Sequence, residues 1–91
     1  MDKEQLIEKC RFYASDALSE AQKWQYETGT MRITRLLNAE HSVGKFHAYL
    51  EVLEETDIDA FAEIYDETTE KIVKALEIVE NIYYKSRVWR D

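Results

Sequence analysis

Not one proline interrupts this chain of 91 residues, and only two glycines do. A β-rich or loop-rich protein of this size needs more of both for its turns. The backbone is therefore restricted to long helices joined by very short connections. Apolar residues make up 45% of the chain and charged residues 34%. That mix fits a folded protein with a heavily charged surface rather than a disordered chain. Residues 1–91 read as a single domain with room for one core.

Apolar spacing locates three helices. The first spans about residues 2–27, with Asp2 as its N-cap. Ile7, Cys10, Ala14, Ala17, Ala21 and Trp24 alternate steps of 3 and 4 along one face, and Leu6, Tyr13 and Leu18 widen it. Gly29 suits the left-handed position that ends a helix, and Thr30 suits the cap of the next. The second helix spans about 31–54. Its seam is Leu36, Ala39, Val43, Phe46, Leu50 and Leu53, flanked by Ile33 and Leu37. Gly44 lies inside it, at a cost of roughly 1 kcal/mol relative to alanine; with Ala48 it offers either a close helix approach or a kink. Asp57 or Thr56 caps the third helix, about 58–87. There Ile58, Phe61, Tyr65, Thr68, Ile72, Ala75, Val79, Ile82 and Ser86 hold the 3–4 alternation over four heptads, with Ile64, Val73, Leu76 and Tyr83 beside them. Such a pattern predicts coiled-coil-like packing at about 20°.

The predicted helices are roughly 36 to 45 Å long at about 1.5 Å per residue. Three-residue connections force sequence neighbours to run antiparallel. The expected fold is all-α: an antiparallel up-down-up bundle of three long helices. The alternative is a helical arrangement completed by a homodimer through the long apolar third helix.

Several functional classes recede on composition. The single cysteine, Cys10, precludes an intrachain disulfide framework and suits a reducing cytoplasmic setting. There is no run of 18 apolar residues to span a membrane, and no apolar segment follows the polar start as a secretory signal requires. The calculated pI of 4.8 disfavours direct nucleic-acid binding. Gly44-Lys45 lacks the flanking residues of a phosphate loop. Cys10, on an apolar stripe, has the setting of an inert buried thiol. No cofactor is expected.

Charge is distributed unevenly. Glu51, Glu54, Glu55, Asp57, Asp59, Glu63, Asp66, Glu67 and Glu70 fall between residues 51 and 70, where there is no lysine or arginine. The remainder of the chain holds 10 acids against 12 bases, so the net charge of −7 arises in this segment. In an up-down-up bundle it forms an acidic pole. Trp24, Tyr26, Arg32, Arg35, Tyr83, Tyr84, Arg87 and Trp89 gather at the other end as an aromatic-basic pole. The acidic pole is a solvated surface that also complements the helix dipole, a surface that steers a basic partner, or a site for divalent cations. The aromatic pole is either an end cap of the bundle or an interaction hot spot, since Trp, Tyr and Arg are enriched in hot spots.

Two carboxylate constellations bear on metal chemistry. Glu40, His47, Glu51 and Glu54 share a stripe of the second helix, but no Glu-x-x-His motif of a di-metal bundle occurs. Glu51-x-x-Glu54 followed by Glu63-x-x-Asp66 loosely resembles the Mg-binding carboxylates of all-α nucleotide pyrophosphohydrolases. That resemblance implies a Mg-dependent hydrolase; acid-rich helices also produce such pairs by chance. The reading placed first is a small acidic interaction or regulatory protein without catalysis, binding another protein or itself. An acidic, phosphate-mimicking inhibitor of a nucleic-acid-binding protein or nuclease comes second, and the hydrolase third.

Overall fold

The computed structural model describes the backbone of residues 1–90 and the side chains of residues 1–80. The chain is an all-α bundle of three helices: α1 (Lys3–Tyr26), α2 (Gly29–Thr56) and α3 (Ile58–Arg90). The helix ends follow from local chemistry. The Gln5 amide donates to Asp2 Oδ1 at 2.8 Å and the Asp2 amide to Gln5 Oε1 at 2.9 Å. This reciprocal pair satisfies two amides that the start of a helix otherwise leaves without partners. Asp57 serves two helices at once. Its amide donates to the Leu53 carbonyl at 2.8 Å, closing α2, and its carboxylate accepts from the Ala60 amide at 3.1 Å, capping α3. One residue therefore reverses the chain.

The α1–α2 connection departs from expectation. Glu27, not Gly29, is the C-cap of α1, and Thr28 is the N-cap of α2, without a side-chain cap bond. Gly29 does adopt the left-handed conformation, at φ 63°, but as the first residue of α2. With only Glu27 and Thr28 between the helices, two extended residues carry the chain outward and the glycine turns it back. Thr30 lies within α2, and its carbonyl accepts a bond from the Thr34 hydroxyl at 3.3 Å.

Contacts between helices establish their directions. Glu20 meets Arg35 and Tyr13 stacks on Tyr49, so α1 and α2 run antiparallel. Arg11 pairs with Glu67 and Ser15 with Lys71, both 56 residues apart, so α1 and α3 run parallel. The core is built on α1, which packs closely with both other helices, while α2 and α3 touch each other far less. Its inward row is Leu6, Cys10, Ala14, Ala17 and Ala21. Facing it are Phe46, Leu50 and Leu53 from α2, and Ala60, Ile64, Ile72 and Ala75 from α3. Two buried hydroxyls find partners: Ser42 donates to Asp16 Oδ2, and Thr68 donates to the Ile64 carbonyl at 2.7 Å.

Three expectations about the core need correction. Ile33 and Leu37 are not flank residues of the α2 seam; they are 61% and 58% exposed. On α3 the inward row is rotated: Ala60 and Ile64 face α1, whereas Ile58 and Tyr65 are 60% and 44% exposed. Val73 and Leu76, expected to broaden the buried face, are also exposed. The physical reason is shared. A helix touched by one close neighbour buries a narrow stripe, and α3 carries more apolar width than α1 can cover. Ile82 and Ser86 of the predicted seam, and Tyr83 of its flanking row, lie outside the described side chains.

Helix α2 passes through Gly44 as continuous α-helix, and a Cβ built there meets nothing within 4 Å. Gly44 therefore permits no close approach. Replacing the two glycines should have opposite effects. Gly44→Ala should stabilise by roughly 0.5–1 kcal/mol through helix propensity. Gly29→Ala should cost about 1–2 kcal/mol because its backbone is left-handed, although a Cβ there also meets no neighbour. Urea denaturation of both variants checks the signs.

Candidate functional site

Two pockets lie in line between α2 and α3, and together they mark a groove with apolar residues on both sides. Its wider part, about 310 Å³, is lined by Phe46, His47, Leu50, Glu51 and Glu54 of α2 with Phe61, Tyr65 and Thr69 of α3. A narrower part, about 160 Å³, lies between Ala39, Glu40 and Val43 of α2 and Ala75, Leu76 and Val79 of α3. Along α2 the lining runs from Ala39 to Glu54, about 22 Å at the helical rise. The carboxylates in the lining, Glu40, Glu51 and Glu54, all come from α2, and each of these residues is exposed. Sequence reading placed Glu40, His47, Glu51 and Glu54 on one stripe, and that stripe is the α2 edge of the groove. It missed that Tyr65 and Leu76 form the facing edge. The available signal was the second apolar row on α3.

The nine acids of residues 51–70 divide by role. Asp57 is a helix cap and lies 3.9 Å from Lys3 Nζ. Glu67 accepts two bonds from Arg11, at 2.8 and 2.9 Å. Glu70 pairs with Lys74 one turn on, at 3.2 Å. Glu51, Glu54, Glu55, Asp59, Glu63 and Asp66 are exposed and form no ion pair among the described residues. Asp59, Glu63, Asp66 and Glu70 are spaced 4, 3 and 4, so they line one outer face of α3. Glu51 and Glu54 line the groove, whereas Glu63 and Asp66 do not. The two carboxylate pairs thus do not converge. Among the described residues no group of three or more His, Cys, Asp or Glu side chains could hold a metal ion.

The aromatic-basic end is largely consumed by the α1–α2 joint. Trp24 is buried, and the Arg32 guanidinium lies over its ring, 4.7 Å from the centroid, within reach of a cation–π attraction. Arg35 Nη1 donates to both oxygens of Glu20, at 3.3 and 3.2 Å. Arg35 Nε is buried, makes no hydrogen bond among the described residues, and lies 3.7 Å from Glu27 Oε1. Only Tyr26 of the described aromatic residues at this end is widely exposed. Tyr83, Tyr84, Arg87 and Trp89 lie outside the described side chains. Sequence patterning missed Glu20, whose position on the apolar face of α1 marked it for a buried partner.

Cys10 has no exposed surface, and burial pushes its thiol up from 9.0 to about 11. A neutral, enclosed thiol is a poor nucleophile. No helix is long and apolar enough to cross a membrane among the described residues. No protein-family model, curated protein or solved structure matches this chain.

Two outcomes follow from this chemistry. Glu20→Ala leaves the Arg35 guanidinium, 23% exposed, without its main partner. It should destabilise by about 2 kcal/mol, a fall of roughly 10 °C in Tm for a domain of this size. Thermal unfolding followed by circular dichroism measures it. The Cys10 thiol ionises more easily unfolded than folded. Its contribution to stability is therefore complete below pH 9 and lost as pH rises toward about 11. Cys10→Ala should flatten that alkaline decline, and denaturant midpoints across the range test it.

Proposed function

We propose that this chain is a non-enzymatic interaction protein whose groove between α2 and α3 receives an amphipathic helix, with basic residues of that helix set against the carboxylates of the groove. The observation that carries the reading is the groove itself. Phe61 and Tyr65 present apolar surface there over a floor of buried Phe46 and Leu50, and Glu40, Glu51 and Glu54 flank it from one side. An amphipathic helix laid in such a groove buries its apolar face against aromatic and aliphatic anchors. Lysines and arginines on its edges meet the carboxylates, which speeds encounter and selects orientation more than it adds affinity. His47, Glu51 and Thr69 line the groove, and no hydrogen bond joins them among the described residues, Thr69 bonding to backbone carbonyls instead, which favours binding over acyl transfer. A reducing, cytoplasmic setting belongs to this reading and rests on the single buried thiol.

A second reading is supported by the outer face of α3. Asp59, Glu63, Asp66 and Glu70 form an acidic row about 16 Å long at the helical rise. Such a row suits a phosphate-mimicking inhibitor that occupies the basic face of a nucleic-acid-binding protein. The two readings use different residues, so charge reversal separates them. A labelled leucine–lysine amphipathic peptide should bind with saturable anisotropy in the micromolar range. Glu51→Lys with Glu54→Lys should weaken it at least about tenfold, while Glu63→Lys with Asp66→Lys should leave it within about twofold. The reverse ranking would transfer the site to the outer face of α3. Absence of saturable binding at concentrations where the chain is monomeric would remove the groove as a helix receptor.

A further inference from the structure

We infer that the helix received by the groove is α3 of a second copy, laid antiparallel across the first in a two-fold symmetric dimer. This rests on the groove being a helix-binding site and identifies its occupant.

The first argument is the apolar face that α3 leaves uncovered. Ile58, Tyr65 and Leu76 are 60%, 44% and 47% exposed. Their separations of 7 and 11 residues place them on one side of the helix, the side that lines the groove. Half-buried Phe61, between Ile58 and Tyr65, and Val79, just beyond Leu76, lie on the same side. An uncovered row of this length on a 91-residue chain marks an interface rather than scattered surface apolarity. In sequence the row continues seven residues beyond Leu76 with Tyr83, then with Arg87 and Arg90 at steps of 4 and 3. The row is thus apolar over most of its length and basic at its end.

Charge decides the direction. Residues 51–70 carry nine acids and no base, while residues 71–91 carry five bases and three acids. A parallel pair would lay the two acidic segments side by side. An antiparallel pair sets the basic end of each α3 against the acidic start of the other. A two-fold axis makes both contacts at once, because the same surface serves on each copy.

Overlap then sets the register. The midpoint of α3, Ile58–Arg90, is Lys74. Pairing about that point brings residue 87 of one copy opposite Phe61 of the other. In the groove Phe61 lies with Glu54 and Glu51 on the α2 side, so the last turns of α3, which hold Arg87 and Arg90 in sequence, fall beside the carboxylates that flank it. Each α3 then rests between α2 and α3 of its partner, and the four helices close into a shared bundle.

The test is the mass of the full chain in solution by sedimentation and light scattering, across micromolar concentrations. The expected species has twice the 10.8 kDa chain mass. Tyr65→Gln with Leu76→Gln should raise the dimer dissociation constant at least about tenfold. Both side chains are exposed, so helicity at low concentration should be kept. Arg87→Glu with Arg90→Glu should weaken association similarly, and adding Glu51→Lys and Glu54→Lys should restore it. Rescue by that swap is an outcome a merely structural role would not give. A 10.8 kDa species at every concentration overturns the inference, as does a dimer indifferent to the Tyr65 and Leu76 changes. Weakening without rescue overturns the antiparallel pairing. A monomer that still binds the leucine–lysine peptide through Glu51 and Glu54 would overturn the dimer and leave the helix-binding groove standing. A monomer that binds no peptide would end both.

Discussion

The row of small side chains on α1 is the constraint on which this fold depends. Cys10, Ala14, Ala17 and Ala21 have no exposed surface, and none has a side chain longer than a thiol. A helix with such a face lets neighbouring backbones come close and leaves the core volume to the larger residues opposite. Phe46, Leu50 and Leu53 from one side, and Ile64 and Ile72 from the other, supply that volume. Because α1 serves both neighbours, α2 and α3 are held by it and not mainly by each other. The groove between them is a direct consequence. Enlarging an alanine in this row would push the helices apart, an overpacking change that typically costs about 1–3 kcal/mol.

Electrostatics in the molecule is partitioned by burial. Where the α1–α2 joint excludes water, charge is paired: Glu20 with Arg35, and Arg32 over Trp24. Where α3 borders α1, the exposed Arg11–Glu67 pair and the Lys71–Ser15 bond align the parallel helices in a common register. Exposed pairs of this kind contribute about 0–1 kcal/mol each, so their role is register more than stability. Beyond these contacts the acids outnumber the bases, and the excess lies along the groove and the outer face of α3. The negative surface is therefore concentrated on the side that the core does not need.

That arrangement is what the proposed helix-binding role rests on. An uncovered apolar row beside carboxylates has two requirements, removal of its apolar surface from water and a positive neighbour. A basic amphipathic helix meets both, and the end of α3 supplies those features in sequence. The buried thiol of Cys10 and the divergence of the two carboxylate pairs leave the surface of α2 and α3 as the chemically distinctive part of the molecule.

Much of this was legible without coordinates. The lack of proline, the 3–4 spacing and the capping residues determined three helices, their order and their approximate ends, because helix formation and capping are decided within a few residues. Asp2 and Asp57 cap as their side chains dictate, and the concentration of acid in residues 51–70 is a property of the sequence alone. What the sequence left open was the rotation of each helix about its axis. On α3 two apolar rows compete for the core. The narrow alanine face of α1 selected the row of Ala60 and Ile64 and left Ile58, Tyr65 and Leu76 outside. The same choice opened the groove and aligned Glu40, His47, Glu51 and Glu54 along it, while Trp24 and Arg35 were drawn into the α1–α2 joint. Periodicity identifies a helix and its candidate faces. Which face is buried depends on the size and shape of the neighbouring surface, and that is decided only when the helices pack.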